Sequence, residues 1–91
     1  MDIRELFGLN MRRHRMAAGT SQEALAEKMG VDRAHVSSME RGQQNVTLTT
    51  LLLASRALGI RPDELLNEKI LTVADDVKRK VPRKSRTRPS G

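Results

Sequence analysis

Between Arg33 and Arg41 lie side chains whose types and spacing suit the edges of base pairs. At roughly 100° per residue, a helix here that turns Val36 and Met39 inward points Ala34, Ser37, Ser38 and Arg41 away from the core. Arg33 and His35 fall on the flanks of its first turn. The outward set is small and polar, with an arginine at each end. A guanidinium can hold a guanine edge through two hydrogen bonds, and an alanine methyl can meet a thymine methyl. Arg33 stands at the first helical position, where a groove-reading helix reaches deepest. Glu40 falls back toward the buried side, an odd place for a carboxylate. An ordinary surface helix also has a polar outer face, so this pattern alone leaves both readings open.

The elements that must position this face are legible around it. Ser21 to Gly42, SQEALAEKMGVDRAHVSSMERG, reads as two short helices jointed at Gly30. Leu25, Ala26 and Met29 form one apolar stripe, and Val36 with Met39 forms another. Ser21 can cap the first helix and Asp32 the second, each side-chain oxygen taking an orphaned backbone N–H. Val31 and Val36 have the spacing of a hydrophobic staple around the Asp32 cap. Two helices so joined, the second pinned by one face, make a helix-turn-helix.

The rest of the chain supports that unit with more helices. Ile3, Phe7, Met11, His14 and Ala18 recur every three or four residues, which predicts a helix over about 2–18 closed by Gly19. His14 on that stripe reads as a packed core side chain. With His35 the only other histidine and no cysteine, a transition-metal site lacks ligands. Further helices are predicted over 22–29, 33–41 and 48–58, the last capped by Thr47 and closed by Gly59. Val46 with Leu51, and Ile60 with Leu65, repeat the staple spacing. Pro62 and Asp63–Glu64 open a fifth helix, predicted to run over 62–81. Along it Leu66, Ile70, Val73 and Val77 form an apolar stripe, which could be a short coiled-coil seam or fold back on its own core. The resulting organisation is a domain over 1–77 and a basic tail over 78–91, disordered from about 82.

Composition narrows the function. At 91 residues there is room for one domain with a small core. The absence of cysteine excludes disulfides and thiol catalysis and fits a reducing compartment. No apolar run approaches the ~20 residues that span a bilayer, and a cytoplasmic location is expected. The net charge of +6 is unevenly placed: seven of the 17 basic residues lie between Lys78 and Gly91 with no acid among them. The other ten face all 11 acids, so residues 1–77 are nearly neutral. Any affinity of that part for nucleic acid must come from where its charges sit, with the tail supplying long-range attraction. No paired-acid constellation, phosphate loop or nucleophile–base pair suggests an enzyme, and no cofactor is expected.

From Phe7 to Leu66 the chain resembles the XRE family of helix-turn-helix regulators, with its Cro and lambda-repressor-like fold. The resemblance is carried by MRRHR before Gly19, SQEALAEKMGV, DRAHVSSMERG, LTTLLLASRALGI and RPDELL, about two-thirds of the chain. Within the family, DRAHVS…MERGQQNVTL is most similar to controller proteins of restriction–modification systems. The resemblance implies that Gln22 holds a phosphate and that Arg33, Ala34 and Ser38 read base edges, with His35 and Ser37 beside them. It implies that Arg41, Gln43, Gln44 and Asn45 follow the DNA backbone. Arg15 and Glu40 match an ion pair tying the first helix to the third, which gives the half-buried carboxylate a partner. Thr20, His14, Val46 and Leu53 depart from the pattern. Thr20 suggests loose packing before the second helix, and Leu53 suggests a covered surface.

The expectation is an all-α, five-helix regulator that binds double-stranded DNA as a homodimer on an inverted-repeat operator. Leu53, Leu66, Ile70, Val73 and Val77 are the candidate dimer contacts. RNA polymerase is a further candidate partner. The alternative is an antitoxin, in which the same apolar residues receive a toxin protein and DNA binding is autoregulatory.

Overall fold

The computed structural model describes residues 1–69. Four α-helices, α1 (Ile3–Ala17), α2 (Gln22–Met29), α3 (Arg33–Glu40) and α4 (Leu48–Leu58), are followed by a 3₁₀ helix, Pro62–Leu66. Each start has a local cause. The Asp2 carboxylate accepts from the Arg4 N–H at 2.7 Å, and Glu5 accepts from the Asp2 N–H at 3.3 Å, closing a capping box. The Arg4 guanidinium, hydrogen-bonded to the same carboxylate, holds its pKa down from 3.8 to about 2. The cap's contribution is therefore complete above the ordinary carboxylate pKa and fades only as pH falls through the lowered one. Ser21 Oγ accepts from the Ala24 N–H at 3.0 Å, and Thr47 Oγ1 from the Thr50 N–H at 3.1 Å.

Asp32 departs from expectation. It occupies the cap position of α3, but its carboxylate makes no cap hydrogen bond. Its carbonyl accepts from the His35 and Val36 N–H groups instead, leaving the side chain in solvent. At the joint before it, Gly30 sits at φ 75°. That left-handed conformation ends α2, and the following Val31 N–H donates to the Ala26 carbonyl.

The core gathers Phe7, Met11, Leu25, Ala26, Met29, Val36, Met39, Ala54 and Leu65. Val31, Val46, Leu51 and Ile60 pack against it, so all three staple pairs have both members in or on the core. The inward face of α1 is turned from the predicted one. Ile3 is 60% exposed and Ala18 is exposed, whereas Leu6, Gly8 and Asn10 are buried. The cause is a close approach of α1 to α3. A Cβ at Gly8 would lie 2.5 Å from the Met39 carbonyl oxygen and 2.7 Å from that of Glu40. Only glycine lets these backbones meet. His14 consequently lies at the rim of the core, half-buried, its Nε2 4.0 Å from Glu64 Oε1.

The fifth element also differs. Its opening turn is 3₁₀, and Asn67 leaves it in extended backbone at ψ 117°, so no continuous helix runs from 62 toward 81. The reason is a side chain on α1. Buried Asn10 donates from Nδ2 to the carbonyls of Leu6 at 3.0 Å and Asn67 at 3.2 Å, fixing the carbonyl of Asn67 on α1. The Asn67 carboxamide then accepts from the Lys69 N–H at 2.9 Å. The basic tail and Ile70, Val73 and Val77 lie outside the described residues. Among the described residues, no helix is long and apolar enough to cross a membrane.

Candidate nucleic-acid interface

α3 has only two buried side chains, Val36 and Met39. A helix of two turns held by two apolar contacts would be poorly fixed, and its C-terminal end shows what holds it. The Glu40 side chain is 4% exposed and that of Arg15 is 13% exposed. Arg15 Nε donates to Glu40 Oε2 at 2.6 Å and Nη2 donates to Oε1 at 3.1 Å, the forked geometry that suits a carboxylate best. Arg15 Nη1 donates to the Thr20 carbonyl at 2.9 Å, and Gln22 Nε2 donates to Glu40 Oε1 at 3.0 Å. One buried ion pair thus ties together α1, the turn before α2, the start of α2 and the end of α3. The tie at Thr20 also holds the segment that its small side chain had suggested was loosely packed.

With that end fixed, the outer face of α3 is defined. Arg33 and Ala34 are exposed, and His35, Ser37 and Ser38 are half-buried. Among the described residues, the Arg33 guanidinium makes no ion pair or side-chain hydrogen bond. Arg41 donates to Ser37 Oγ through Nη1. Its Nε and Nη2 donate to Gln43 Oε1 at 3.3 and 3.2 Å. Gln44 Nε2 donates to Ser38 Oγ at 2.8 Å. The structure therefore brings Ser37, Ser38, Arg41, Gln43 and Gln44 into one polar surface spanning α3 and the following turn. Asn45 is exposed at the end of that turn. Gly42, at φ 74°, seats the turn on α1: a Cβ there would be 3.0 Å from Glu5 Cα. Gln22 is half-buried and oriented by Glu40.

Two residues that position the site are absent from the sequence reading, Gly8 and Asn10. A period count over apolar residues passes over both, although Gly8 falls one position from Phe7 and Asn10 one from Met11. A second surface is also wider than the sequence reading. Leu53 and Leu66 are each 39% exposed, but Leu48 at 83% and Leu52 at 38% extend the same kind of surface along α4. Leu48 and Leu52 are one helical turn apart, a repeat that could have been read directly.

Comparison with known proteins agrees with this geometry. Residues 11–65 match the helix-turn-helix family model. The chain is 42% identical over 66 residues to control protein C.SmaI of Serratia marcescens, covering 72% of this chain and 79% of that one. It is 40% identical over 67 residues to control protein C.BamHI of Bacillus amyloliquefaciens, covering 72% and 83%. Among solved structures, the restriction–modification controller protein C.AhdI of Aeromonas hydrophila superimposes with a TM-score of 0.66 at 47% identity, covering 68% of this chain and 94% of that one. With a helix-turn-helix whose second helix is held by Val36, Met39 and the Arg15–Glu40 pair and whose polar face is left outward, the chain belongs to the XRE-type helix-turn-helix family of DNA-binding transcriptional regulators.

Proposed function

We propose that the protein is a homodimeric regulator of the controller type, binding an inverted-repeat operator with α3 of each copy in a major groove. The observation that carries this is the division of labour on α3. Its carboxylate is withdrawn into the Arg15 pair, while the guanidinium at its opposite end has no intramolecular partner among the described residues. Arg33 then reads a guanine edge, and Ala34, His35, Ser37 and Ser38 contact the neighbouring edges. Gln22, Arg41, Gln43, Gln44 and Asn45 hold phosphates and set the register without reading sequence. One α3 touches too few base pairs to locate a promoter. Two copies, joined through the leucines of α4 with Leu66, Ile70, Val73 and Val77, place their reading helices about 34 Å apart.

Selection of bound duplexes from a random pool at near-physiological salt tests this, together with the mass of the free protein in solution. The expected result is an enriched inverted repeat with half-sites about one helical turn apart, and a dimer mass. Enrichment of no sequence would refute it. Arg33→Ala is expected to cost about 1–3 kcal/mol of operator binding and to relax preference at a single position of each half-site. Weakening spread evenly over all positions in a repeated selection would assign Arg33 to the backbone.

The basic residues from Lys78 onward add affinity without sequence preference in this reading. Ending the chain after Val81 removes Arg83, Lys84, Arg86 and Arg88. The slope of log affinity against log salt should then become shallower, by about 0.9 for each phosphate that the tail had neutralised. An unchanged slope would show that the tail does not touch DNA.

A further inference from the structure

The hydroxyl oxygens of Ser37 and Ser38 each already have a donor. Arg41 Nη1 donates to Ser37 Oγ, and Gln44 Nε2 donates to Ser38 Oγ at 2.8 Å. A serine inside a helix commonly spends its own proton on a carbonyl one turn back. Ser55 on α4 does so, its Oγ donating to the Leu52 carbonyl at 2.8 Å. Among the described residues, neither Ser37 nor Ser38 gives its proton to any acceptor. With Val36 and Met39 buried, helical geometry turns both serines outward. Two adjacent hydroxyl protons are thus left unspent on the face that meets DNA.

We propose that Ser37 and Ser38 read the operator as hydrogen-bond donors, their hydroxyls aimed by Arg41 and Gln44, and so select bases that present an acceptor in the major groove. The proposal rests on the operator reading above and adds the polarity of two of its contacts. A hydroxyl has one proton and two lone pairs. The intramolecular donor takes one lone pair and polarises the O–H bond, which then donates more strongly, while the second lone pair accepts less well. The effect is strongest at Ser37, whose donor is charged. Guanine offers N7 and O6 to such a proton, adenine N7 and thymine O4, whereas cytosine presents only an amino group. Each serine therefore discriminates against cytosine at the base it touches.

The two donors are held where the serines need them. Gly42, at φ 74°, turns the chain at the end of α3, and the Gln43 N–H donates to the Ser38 carbonyl at 3.1 Å. That bond brings the next residue, Gln44, within reach of Ser38. The Arg41 guanidinium is fixed by Gln43 Oε1, which accepts from Nε at 3.3 Å and from Nη2 at 3.2 Å. Side chains ordered before the DNA arrives lose less entropy on binding. Neither donor group is exhausted. Three of the five guanidinium N–H groups are engaged, and one of the two on the Gln44 amide. The remainder can meet phosphates, so Arg41 and Gln44 keep their place on the backbone. They are positioning residues for the serines and touch no base themselves.

Gln44→Glu tests the polarity directly. A carboxylate only accepts, so the Ser38 proton turns toward it and the oxygen offers lone pairs to the DNA. Duplexes are selected from a random pool by the unaltered full chain and by its Gln44→Glu, Ser38→Ala and Ser37→Ala variants at one salt concentration. Ser38→Ala is expected to lose a bias against cytosine at one position of each half-site, a change of about three- to tenfold for one neutral hydrogen bond. Ser37→Ala is expected to lose the same bias at a neighbouring position. Gln44→Glu is expected to turn the bias toward cytosine at the Ser38 position. Its added negative charge weakens binding to every sequence alike, so the change confined to one position is what reports the polarity. An unchanged preference at that position in Gln44→Glu would overturn the aiming of Ser38 by Gln44. Serine variants that keep the whole motif would overturn reading by the hydroxyls and leave the operator reading intact. Enrichment of no sequence by the unaltered chain would instead refute the operator reading, and this proposal with it.

Discussion

Glu40→Ala is expected to lower the unfolding free energy by about 3–5 kcal/mol, the cost of removing one partner from a buried ion pair. The size of the effect follows from what remains after the change. Arg15, 13% exposed, keeps only the Thr20 carbonyl as an acceptor and carries an uncompensated charge in a half-dry environment. Gln22 loses the acceptor for its amide at the same time. The pair need not be strongly stabilising in itself, since desolvating both ions offsets much of their attraction. A double replacement, Arg15→Met with Glu40→Leu, should therefore lose clearly less than the two single changes together. Urea unfolding of Glu40→Ala, and of the wild-type chain, Arg15→Met, Glu40→Leu and the double variant that make up the cycle, measures both quantities. A loss below about 1 kcal/mol for Glu40→Ala would show that the pair is solvated like a surface bridge.

Gly8→Ala is expected to cost about 3 kcal/mol, at the upper end of what overpacking does. Alanine would ordinarily stabilise a helix interior by about 1 kcal/mol relative to glycine. Here the added methyl meets the carbonyl oxygens of Met39 and Glu40 at 2.5 and 2.7 Å. Those are main-chain atoms, so no rotamer change relieves the clash. α1 must back away from α3, and the same displacement stretches the Arg15–Glu40 bonds. Thermal unfolding gives the stability, and operator affinity well below the melting range gives the effect on the reading helix. An increase in melting temperature, the outcome helix propensity alone predicts, would show that the approach of the two helices is looser than the structure has it.

Much of this arrangement is legible in the sequence because it is local. Ser21 and Thr47 cap the helices they precede, Gly30 and Gly59 end them in the left-handed conformation, and the staple positions Val31, Val46 and Ile60 lie on the core. Each of these signals is satisfied within about five residues, so distant parts of the chain have little power to override it. The illegible parts are long-range. Which face of α1 turns inward is decided by Gly8 meeting α3, some thirty positions on. The apolar repeat instead selects a stripe through Ile3 and Ala18. The end of the fifth element is decided by Asn10, 57 positions from Asn67, whereas the 66–77 stripe suggests an unbroken helix. Asp32 fails as a side-chain cap although its residue type and position were right, since a solvated carboxylate can do without the bond. On the interface, Ser37, Ser38, Arg41, Gln43 and Gln44 follow from helical geometry once Val36 and Met39 are taken as buried. Their mutual hydrogen bonds do not, because these depend on how the turn after Gly42 rests on Glu5.

The fastening of α3 has a mechanical consequence. Its N-terminal half is held by Val36 in the core, its C-terminal half by Met39 and Glu40, and Gly8 leaves the main chain no slack against α1. A reading helix so constrained cannot adjust its pitch or angle to suit an imperfect site. In the proposed dimer on an inverted repeat, any mismatch between the separation of the two units and the helical repeat of the DNA would be taken up by the duplex. Bending and groove compression then fall on the central base pairs, which neither copy touches. Their sequence determines how cheaply they deform, so base preference should extend into the spacer between the half-sites, set by DNA stiffness alone.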